Sequence, residues 1–431
     1  MSHSNLFSGN TSNRLDFRAE VIHLKNGLTV IYQNLPTFPV AVVDVWINAG
    51  AIVEPDEWSG MAHFLEHMVF KGTADIAPGQ FDQIIESRGG ATNAATSQDY
   101  AHFYITTSVE HLPETLPYLA DLLLKAAIPE SEFERERDVV LEELRQSYDN
   151  PDWLGFQSLM ETIYHHHPYR RPVLGTEMNL KQRTPTEMRR FHRTYYQPQN
   201  MTIVAIGGLD REETLDLIEQ CFSQFPEPAD CGSHSIEAEP PITEIRRREL
   251  TLPRIEQARL LMGWIGPGVE HFQSAYGLDL LAVLLAEGRT SRLLKDLRED
   301  KQWVQGVSSA FSLQRDSSLF TITAWLEPKH LSAVEYRICE HLMNLPNLPI
   351  SSAELARCQR LLCNDYIFST ETPGQLAGLY GYYNTVASAD ISVTYPQQIK
   401  ALRSDDLQRL ATQYISPYRY AVTTLKPENK C

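Results

Sequence analysis

Several features are absent from this chain of 431 residues, and each absence argues against a class of protein. No run of about 18 or more apolar residues is present, so the sequence predicts no membrane-spanning helix, and no apolar secretory segment follows the first methionine. The six cysteines include no Cys-x-x-Cys pair, which favours a reducing compartment over a disulfide framework. We therefore expect a cytoplasmic protein, with an organelle matrix as the alternative.

Positive charge is also scarce. The chain has 38 Lys and Arg residues against 55 Asp and Glu residues, which gives a formal net charge of −17. This balance argues against nucleic acid and anionic membranes as partners. It would suit basic peptides, but an acidic surface also simply keeps a protein dissolved. Hydrophobic residues make up 42% and charged residues 22%, and both values are ordinary for a globular protein.

The length of the chain and one unpatterned stretch indicate two domains. A chain of 431 residues is long for one core and suits two domains of about 200 residues each. Residues 226–245 are rich in proline and acidic residues and lack periodicity, which is typical of an interdomain linker. We expect a mobile tail over residues 1–16, a first domain over residues 17–225 and a second domain over residues 246–431.

The two halves read as distant copies of each other. An apolar strand pattern over residues 42–46 leads to Gly60 and a helical pattern, and a similar strand pattern over residues 260–264 leads to Gly277 and another helix. Each half continues with further strands and then several helices. The sequence therefore predicts an α+β protein with two similar domains, each a mostly antiparallel sheet with helices packed on one face.

The most informative segment is His-x-x-Glu-His, formed by His63, Glu66 and His67. A helix is indicated by four apolar residues at three- and four-residue spacings, namely Met61, Phe64, Leu65 and Met68. On a helix His63 and His67 project side by side, so two ring nitrogens can reach one metal ion at about 2.0–2.1 Å, the usual zinc–nitrogen distance. Glu66 would stand near a water molecule at that metal without being a ligand. The alternative is a helix end with solvated histidines.

A second helix is needed, because a catalytic zinc ion usually has three protein ligands. Residues 131–144 have a helical pattern that begins with a capping box of Ser131 and Glu134. Glu136 and Glu143 are two helical turns apart and face the same way. The predicted apolar stripe consists of Phe133, Val139, Val140 and Leu144. Taken alone, such an acidic helix is more typical of a solvated surface.

Together, these two segments resemble the pitrilysin, insulinase and mitochondrial-processing-peptidase family of zinc metallopeptidases, which carry His-x-x-Glu-His. Glu143 follows His67 by 76 residues, the spacing at which that family has its glutamate ligand. Residues 89–104 resemble the family's Gly-rich turn and edge strand, and residues 191–201 resemble its F-x-x-x-Y-x-P-x-N-M segment. The resemblance extends over nearly the whole chain.

The resemblance implies one zinc ion per chain with three ligands, His63, His67 and Glu143. Glu66 would act as the base that takes a proton from water as it attacks a peptide carbonyl, and Glu136 would orient the ligands from behind. Glu142 is the rival ligand, but it points about 100° away around the helix. The expected activity is that of a zinc metalloendopeptidase acting on peptides or presequence-like segments.

The same resemblance implies two substrate contacts and a partner chain. Asn93 and its strand would bind the substrate backbone as an added strand, although Asn93 also reads as a plain turn residue. Active relatives use an Arg and a Tyr seven residues later to hold the substrate carbonyl, and here Arg298 is present but Gln305 replaces the tyrosine. We therefore expect a heterodimer in which a homologous chain without the zinc motif supplies an intact Arg/Tyr pair. A homodimer is the alternative.

Three other functions stay open: a non-catalytic scaffold of a related complex, a subunit that binds peptides without cleaving them, and a zinc hydrolase of a small amide. The metal motif argues against the scaffold, and the duplication, which builds a chamber, favours peptides over small amides. The second copy has Leu280, Val283 and Leu284 where the first has its metal residues, so we expect no second metal site. The run of residues 165–167, three histidines, is expected to be solvated.

Overall fold

The computed structural model describes residues 18–231, 236–253 and 255–428, and the predicted tail over residues 1–16 lies outside these ranges. The described strands are β1 (Glu20–His23), β2 (Thr29–Asn34), β3 (Val40–Ile47), β4 (Ala91–Thr96), β5 (Ala101–Ser108), β6 (Met201–Gly207), β7 (Arg246–Leu252), β8 (Ala258–Ile265), β9 (Val304–Ser312), β10 (Leu319–Leu326) and β11 (Ala421–Pro427).

The helices lie between these strands, several of them in succession. Those of the first half are α1 (Met61–Val69), α2 (Gln80–Ser87), α3 (Leu112–Lys125), α4 (Glu130–Tyr148), α5 (Pro151–Ile163), α6 (Glu177–Gln182), α7 (Pro185–Tyr195) and α8 (Arg211–Cys221). Those of the second half are α9 (Phe272–Ala286), α10 (Leu331–Asn344), α11 (Ser352–Phe368), α12 (Pro373–Val386), α13 (Ile391–Ala401) and α14 (Ser404–Tyr414). None of these helices combines the length and the apolar character needed to cross a bilayer.

The two sheets share the order of five strands, and the first sheet has one further strand, β1, at its edge, which confirms the predicted pair of similar α+β units. The first sheet runs β1-β2-β6-β3-β5-β4, and the second runs β7-β11-β8-β10-β9. The strands β2 and β6 pair in parallel, as do their counterparts β7 and β11, whereas the other pairs are antiparallel. Each sheet therefore ends in an antiparallel edge strand, β4 or β9.

Helix α1 lies against the first sheet and begins after a tight turn. Its four predicted apolar residues are all buried, which confirms the helical pattern. Gly60, at the turn, has a φ of 95°, and a side chain at Gly175 would lie 2.6 Å from the Gly60 Cα atom, so both positions require glycine. The buried carboxylate of Glu54 accepts hydrogen bonds from the N–H groups of Gly60 and Ala62, which anchors the start of the helix.

Helix α4 differs from its predicted form in two details. It begins at Glu130 after an extended Pro129, so the capping box of Ser131 and Glu134 is wrong, and Glu134 instead pairs with Arg137 at 2.6 Å. Phe133, Val140 and Leu144 are buried as predicted. Val139 is 50% exposed and Leu141 is buried in its place, because the contact face of the helix is rotated toward Leu141.

The matching glycine of the second half also differs from the prediction. Helix α9 begins at Phe272, so Gly277 lies inside the helix and not before it. A Cβ atom at Gly277 would collide with Leu410 of α14, so glycine there serves close helix packing rather than a turn.

In each half, one helix packs against the sheet of the other half. Helix α5 packs on β7, β8 and β11 of the second sheet, and a side chain at Gly155 would lie 2.9 Å from Leu261 and Leu425. Helix α12 packs on β3 and β6 of the first sheet, where Gly381 lies flat against the Trp46 ring. The predicted domain bounds stay a prediction, but the described halves are interlocked by this exchange.

The prediction for the histidine run is wrong at His167. His165 and His166 are exposed, but His167 is buried, and its Nε2 atom lies 3.5 Å from the Asp316 carboxylate. The backbone N–H groups of all three histidines donate to one carboxylate oxygen of Glu239, which lies in the predicted linker. The run therefore forms part of the joint between the two halves.

Of the described cysteines, Cys358 and Cys363 are buried among apolar side chains, and those in the described ranges are free thiols.

Candidate metal centre

Helices α1 and α4 bring three potential metal ligands together. The Nε2 atoms of His63 and His67 lie 3.6 and 3.5 Å from one carboxylate oxygen of Glu143. The three donor atoms all lie within 4.8 Å of one another. The i, i+4 spacing on α1 aligns the two rings, and Glu143 projects from the neighbouring helix. The residues that the sequence singled out thus converge on one point.

The geometry of this cluster fits a single zinc ion. Two donor atoms that bind one zinc ion tetrahedrally at about 2.0–2.2 Å lie about 3.3–3.6 Å apart. The distances of 3.5 and 3.6 Å from Glu143 to the two imidazoles match that separation. The set of two imidazoles and one carboxylate is also a usual catalytic zinc set, which leaves a fourth position open.

Glu136 orients His67 from behind. Its carboxylate lies 2.9 Å from Nδ1 of His67 and 2.6 Å from Nζ of Lys71, so it bridges the two. Burial disfavours the charged form of His67, but the hydrogen bonds and charges of Glu136 and Glu143 outweigh burial and raise its pKa to about 9. A carboxylate on Nδ1 fixes that proton there and leaves Nε2 free to bind a metal.

His63 has the opposite electrostatic setting. Burial and the charge of His67 lower the pKa of His63 to about 4, so its ring is neutral near pH 7. Neutral imidazole is the form that ligates metals. Its Nδ1 atom is buried and has no hydrogen-bond partner among the described residues.

Glu66 lies beside the cluster and is held by the edge strand. Its carboxylate accepts a hydrogen bond of 2.6 Å from the hydroxyl of Thr96 at the end of β4. Burial raises the pKa of Glu66, and the hydrogen bond from Thr96 and the charges of His67 and His102 oppose that rise. A carboxylate with a raised pKa suits a group that takes up and releases a proton.

Glu142 points away from the cluster. It is exposed and pairs with Arg145 at 3.2 Å on the solvent side of α4. Glu143 is therefore the carboxylate that faces the histidines, although its side chain is still 44% exposed.

The predicted substrate contacts lie on the two edge strands and their neighbourhood. Asn93 is exposed on β4 and pairs in register with Tyr104, so it is a strand residue and not a turn residue. Arg298 is exposed in a short helix, Leu294–Asp300, and Gln305 is exposed on β9. Among the described residues, no hydrogen bond or ion pair joins Arg298 to the metal cluster; its nearest ionic neighbour is Glu299 at 3.9 Å.

Three residues that support the cluster belong to no motif that predicts their role, namely Thr96, Lys71 and Glu54. Thr96 lies in the segment that resembles the Gly-rich turn and edge strand, but that resemblance does not indicate its contact with Glu66. The spacing of four residues between His67 and Lys71, which lies just beyond the end of α1, could have signalled that the two side chains are close together. The contact of Thr96 depends on tertiary structure and has no local signal.

Two family models match the chain: insulinase (peptidase family M16) over residues 29–177, and the peptidase M16 inactive domain over residues 183–362. The zinc protease PqqE of Helicobacter pylori is 29% identical over 95% of this chain and 93% of its own length. The uncharacterized zinc protease YmxG of Bacillus subtilis is 31% identical over 81% of this chain and 83% of its own. A crystal structure of a protease from Helicobacter pylori superposes with a TM-score of 0.89 at 29% identity and covers 95% of this chain and 99% of its own.

Proposed function

Because the chain belongs to peptidase family M16, we propose that it is a zinc-dependent endopeptidase whose catalytic site lies in its first half. The observation that carries this proposal is the convergence of His63, His67 and Glu143 at zinc-ligand distances beside Glu66. The names of the relatives, zinc proteases, support the same reaction class.

The residues of the site divide the work. His63, His67 and Glu143 would hold one zinc ion, which supplies Lewis-acid activation of water and of a peptide carbonyl when bound. Glu66 takes a proton from the attacking water and delivers it to the leaving amine nitrogen. Thr96 fixes the orientation of the Glu66 carboxylate, and Glu136 fixes the ring of His67.

The substrate binds as an extended strand along β4. That strand is one of the two edge strands of the first sheet, and the Thr96 hydroxyl at its end donates a hydrogen bond to Glu66. Pairing of main chains would give affinity without strict sequence demands, and Asn93, exposed on the strand, would contact the peptide.

The chain works best with a partner. Gln305 stands where active relatives are expected to carry a tyrosine, and a glutamine amide is a weaker match for that role. Removal of one preorganised oxyanion donor costs on the order of 10²–10³ in rate in other hydrolases. A homologous chain that supplies an Arg/Tyr pair in a heterodimer would compensate; a homodimer is the alternative.

The test is cleavage of a mixed pool of quenched peptides by the purified chain, with Glu66→Gln and a chelator as controls. We expect zinc-dependent cleavage that both controls abolish, with zinc still bound to Glu66→Gln. Cleavage that survives Glu66→Gln, or that needs no zinc, would contradict the proposal. Zinc binding without cleavage by the lone chain would direct the search to the partner chain, which should then restore cleavage.

A further inference from the structure

A pair of polar side chains lies on the first sheet away from the metal ligands. The Asp44 carboxylate on β3 lies 3.0 and 3.3 Å from Nδ1 of His102 on β5. Asp44 is only 3% exposed and stands between apolar neighbours on its strand. The ring of His102 is stacked against Trp46 at a centroid distance of 4.3 Å, which fixes the plane of the imidazole. A buried carboxylate is costly unless it is paired and hydrogen-bonded, and His102 is the partner that Asp44 has here.

The register of the sheet places this pair beside the predicted substrate strand. His102 pairs with Ala95 on β4, and Tyr104 pairs with Asn93, so these four side chains share one face. Helix α12 covers β3 and β6 on this face, whereas Ala91, Asn93 and Ala95 are exposed. The face is therefore open at the edge where a peptide strand would be added.

Small residues on the edge strand leave the imidazole within reach. Ala95 projects only a methyl group, and a strand added to β4 would lie about 10 Å from β5, two strand spacings away. A long side chain of the added peptide, placed opposite Ala95, could extend over that methyl group and reach Nε2 of His102. Among the described residues Nε2 has no hydrogen-bond partner, and the side chain is 17% exposed.

The chemistry of the pair selects for one class of side chain. An ionised carboxylate only accepts hydrogen bonds, so the Nδ1 atom of His102 beside Asp44 is the ring's donor. In an imidazole that holds its proton on Nδ1, the other nitrogen, Nε2, is an acceptor. Lys and Arg side chains carry only donors, whereas Asp and Glu side chains carry only acceptors when ionised. The negative charge of Asp44 behind the ring adds to the preference for a cation.

We propose that His102, held by Asp44, is a specificity-determining residue that accepts a hydrogen bond from a Lys or Arg side chain of the bound peptide, opposite Ala95. This inference rests on the proposed binding of peptides along β4 and names one side chain that they should carry. The net charge of −17 favours the same class of peptide.

The experiment compares the binding of two peptides that differ at one position, lysine in one and norleucine in the other. The zinc-loaded Glu66→Gln chain is used, so that cleavage does not interfere, and the varied position is scanned along the peptide. At one position we expect the lysine peptide to bind about tenfold more tightly, the scale of a hydrogen bond with a charged donor. His102→Phe, which retains the stack on Trp46, should abolish that preference, and Asp44→Asn should weaken it.

Thr106→Val is the matched control, because Thr106 lies on the same face of β5, half-buried, and pairs with Ala91. It should keep the lysine preference. If His102→Phe misfolds because Asp44 is left unpaired, the double variant Asp44→Leu/His102→Phe removes both partners and should fold with the preference lost.

The outcomes separate this inference from the proposed function. Equal binding of the two peptides at every position, no binding of either, or a preference that survives His102→Phe would overturn the inference. A preference that depends on His102, in a chain whose wild type shows no zinc-dependent cleavage even with a partner, would support the inference and contradict the proposed function alone.

Discussion

The helices α1 and α9 follow equivalent strands of the two sheets, and they show how one fold serves two purposes. Helix α1 presents His63, Glu66 and His67 toward α4 and the edge strand. Helix α9 has leucines and a valine at the matching positions, all buried in the second core. The same location in the fold is therefore a polar cluster in one half and apolar packing in the other.

The polar cluster on α1 and the apolar side chains of α9 also differ in what they need for stable burial. The polar cluster needs compensation: Glu136 and Lys71 support His67, and the charges of His67 and Lys71 lower the pKa of the Glu136 carboxylate against the effect of its burial. The apolar helix needs none of this, because leucine side chains bury without unsatisfied groups. Helix α1 thus has a polar cluster where helix α9 has apolar side chains that pack in the second core.

The largest effect is expected when three residues of α1 are replaced by those at the matching positions of α9, as His63→Leu, Glu66→Val and His67→Leu together. We expect zinc binding and cleavage to disappear completely. The metal-free variant should be at least as stable as the metal-free wild type, since well-packed apolar residues replace a buried polar cluster. Thermal unfolding without metal and cleavage assays measure both effects.

A variant that unfolds would show that the cluster itself stabilises the fold, contrary to this account. Residual zinc-dependent cleavage would show that the catalytic site lies elsewhere.

A smaller effect is expected from the support behind the ligands. Glu136→Gln should lower zinc affinity about 10–100-fold, because outer partners of a ligating histidine typically contribute that much. The matched control is Glu142→Gln on the same helix, whose carboxylate pairs with Arg145 in solvent and should leave the affinity unchanged. Competition with a zinc chelator measures both variants. Equal losses in the two would mean that only the overall charge of α4 matters.

The second half can be tested for a direct part in catalysis. Gln305→Tyr should raise the cleavage rate of the lone chain about tenfold if β9 faces the substrate. This is less than the roughly 10²–10³ that a full oxyanion donor contributes, because the glutamine amide can already donate a hydrogen bond. Gln302→Tyr, three residues earlier and also exposed, serves as the control and should have no effect. No gain from Gln305→Tyr would show that this half does not contact the reacting carbonyl in the lone chain.

The smallest expected effect is the release of protons when zinc binds. Zinc binding requires deprotonated Nε2 atoms, and the pKa of His67 in the metal-free chain is raised to about 9 by its two carboxylates. At about pH 7 that ring is protonated, so zinc binding should release close to one proton from it, and the release should vanish as the pH rises above about 9. Calorimetry in buffers of different ionisation enthalpy measures the count. His63, whose pKa is lowered to about 4, should release no proton in this range. An equal proton release at about pH 7 and above about pH 9 would contradict the raised pKa of His67.

The sequence predicted most of the candidate metal site because the signals for it are local. The i, i+4 spacing of His63 and His67 and the seven-residue spacing of Glu136 and Glu143 fix which side chains share a helix face. That the two faces meet came from the resemblance to a family, and the structure brings these side chains together. The duplication of the fold was also predicted, since both halves repeat the same coarse order of strands and helices, whereas the order of strands within each sheet was not.

What the sequence missed depends on contacts between distant segments. The burial of His167 arises from Asp316 and Glu239, far away in the chain, so a run of histidines looked solvated. The exchange of α5 and α12 between the sheets has no local pattern at all. The pairing of Asp44 with His102 could have been suspected, because a lone acid in an apolar strand needs a partner.

Anomalous X-ray diffraction at the zinc edge, on crystals of the zinc-loaded chain, shows whether the first half binds one zinc ion and the second half none. We expect one anomalous peak per chain, about 2.0–2.2 Å from Nε2 of His63, Nε2 of His67 and a carboxylate oxygen of Glu143. A peak on Glu142, a peak beside α9, or no peak at α1 would contradict this expectation.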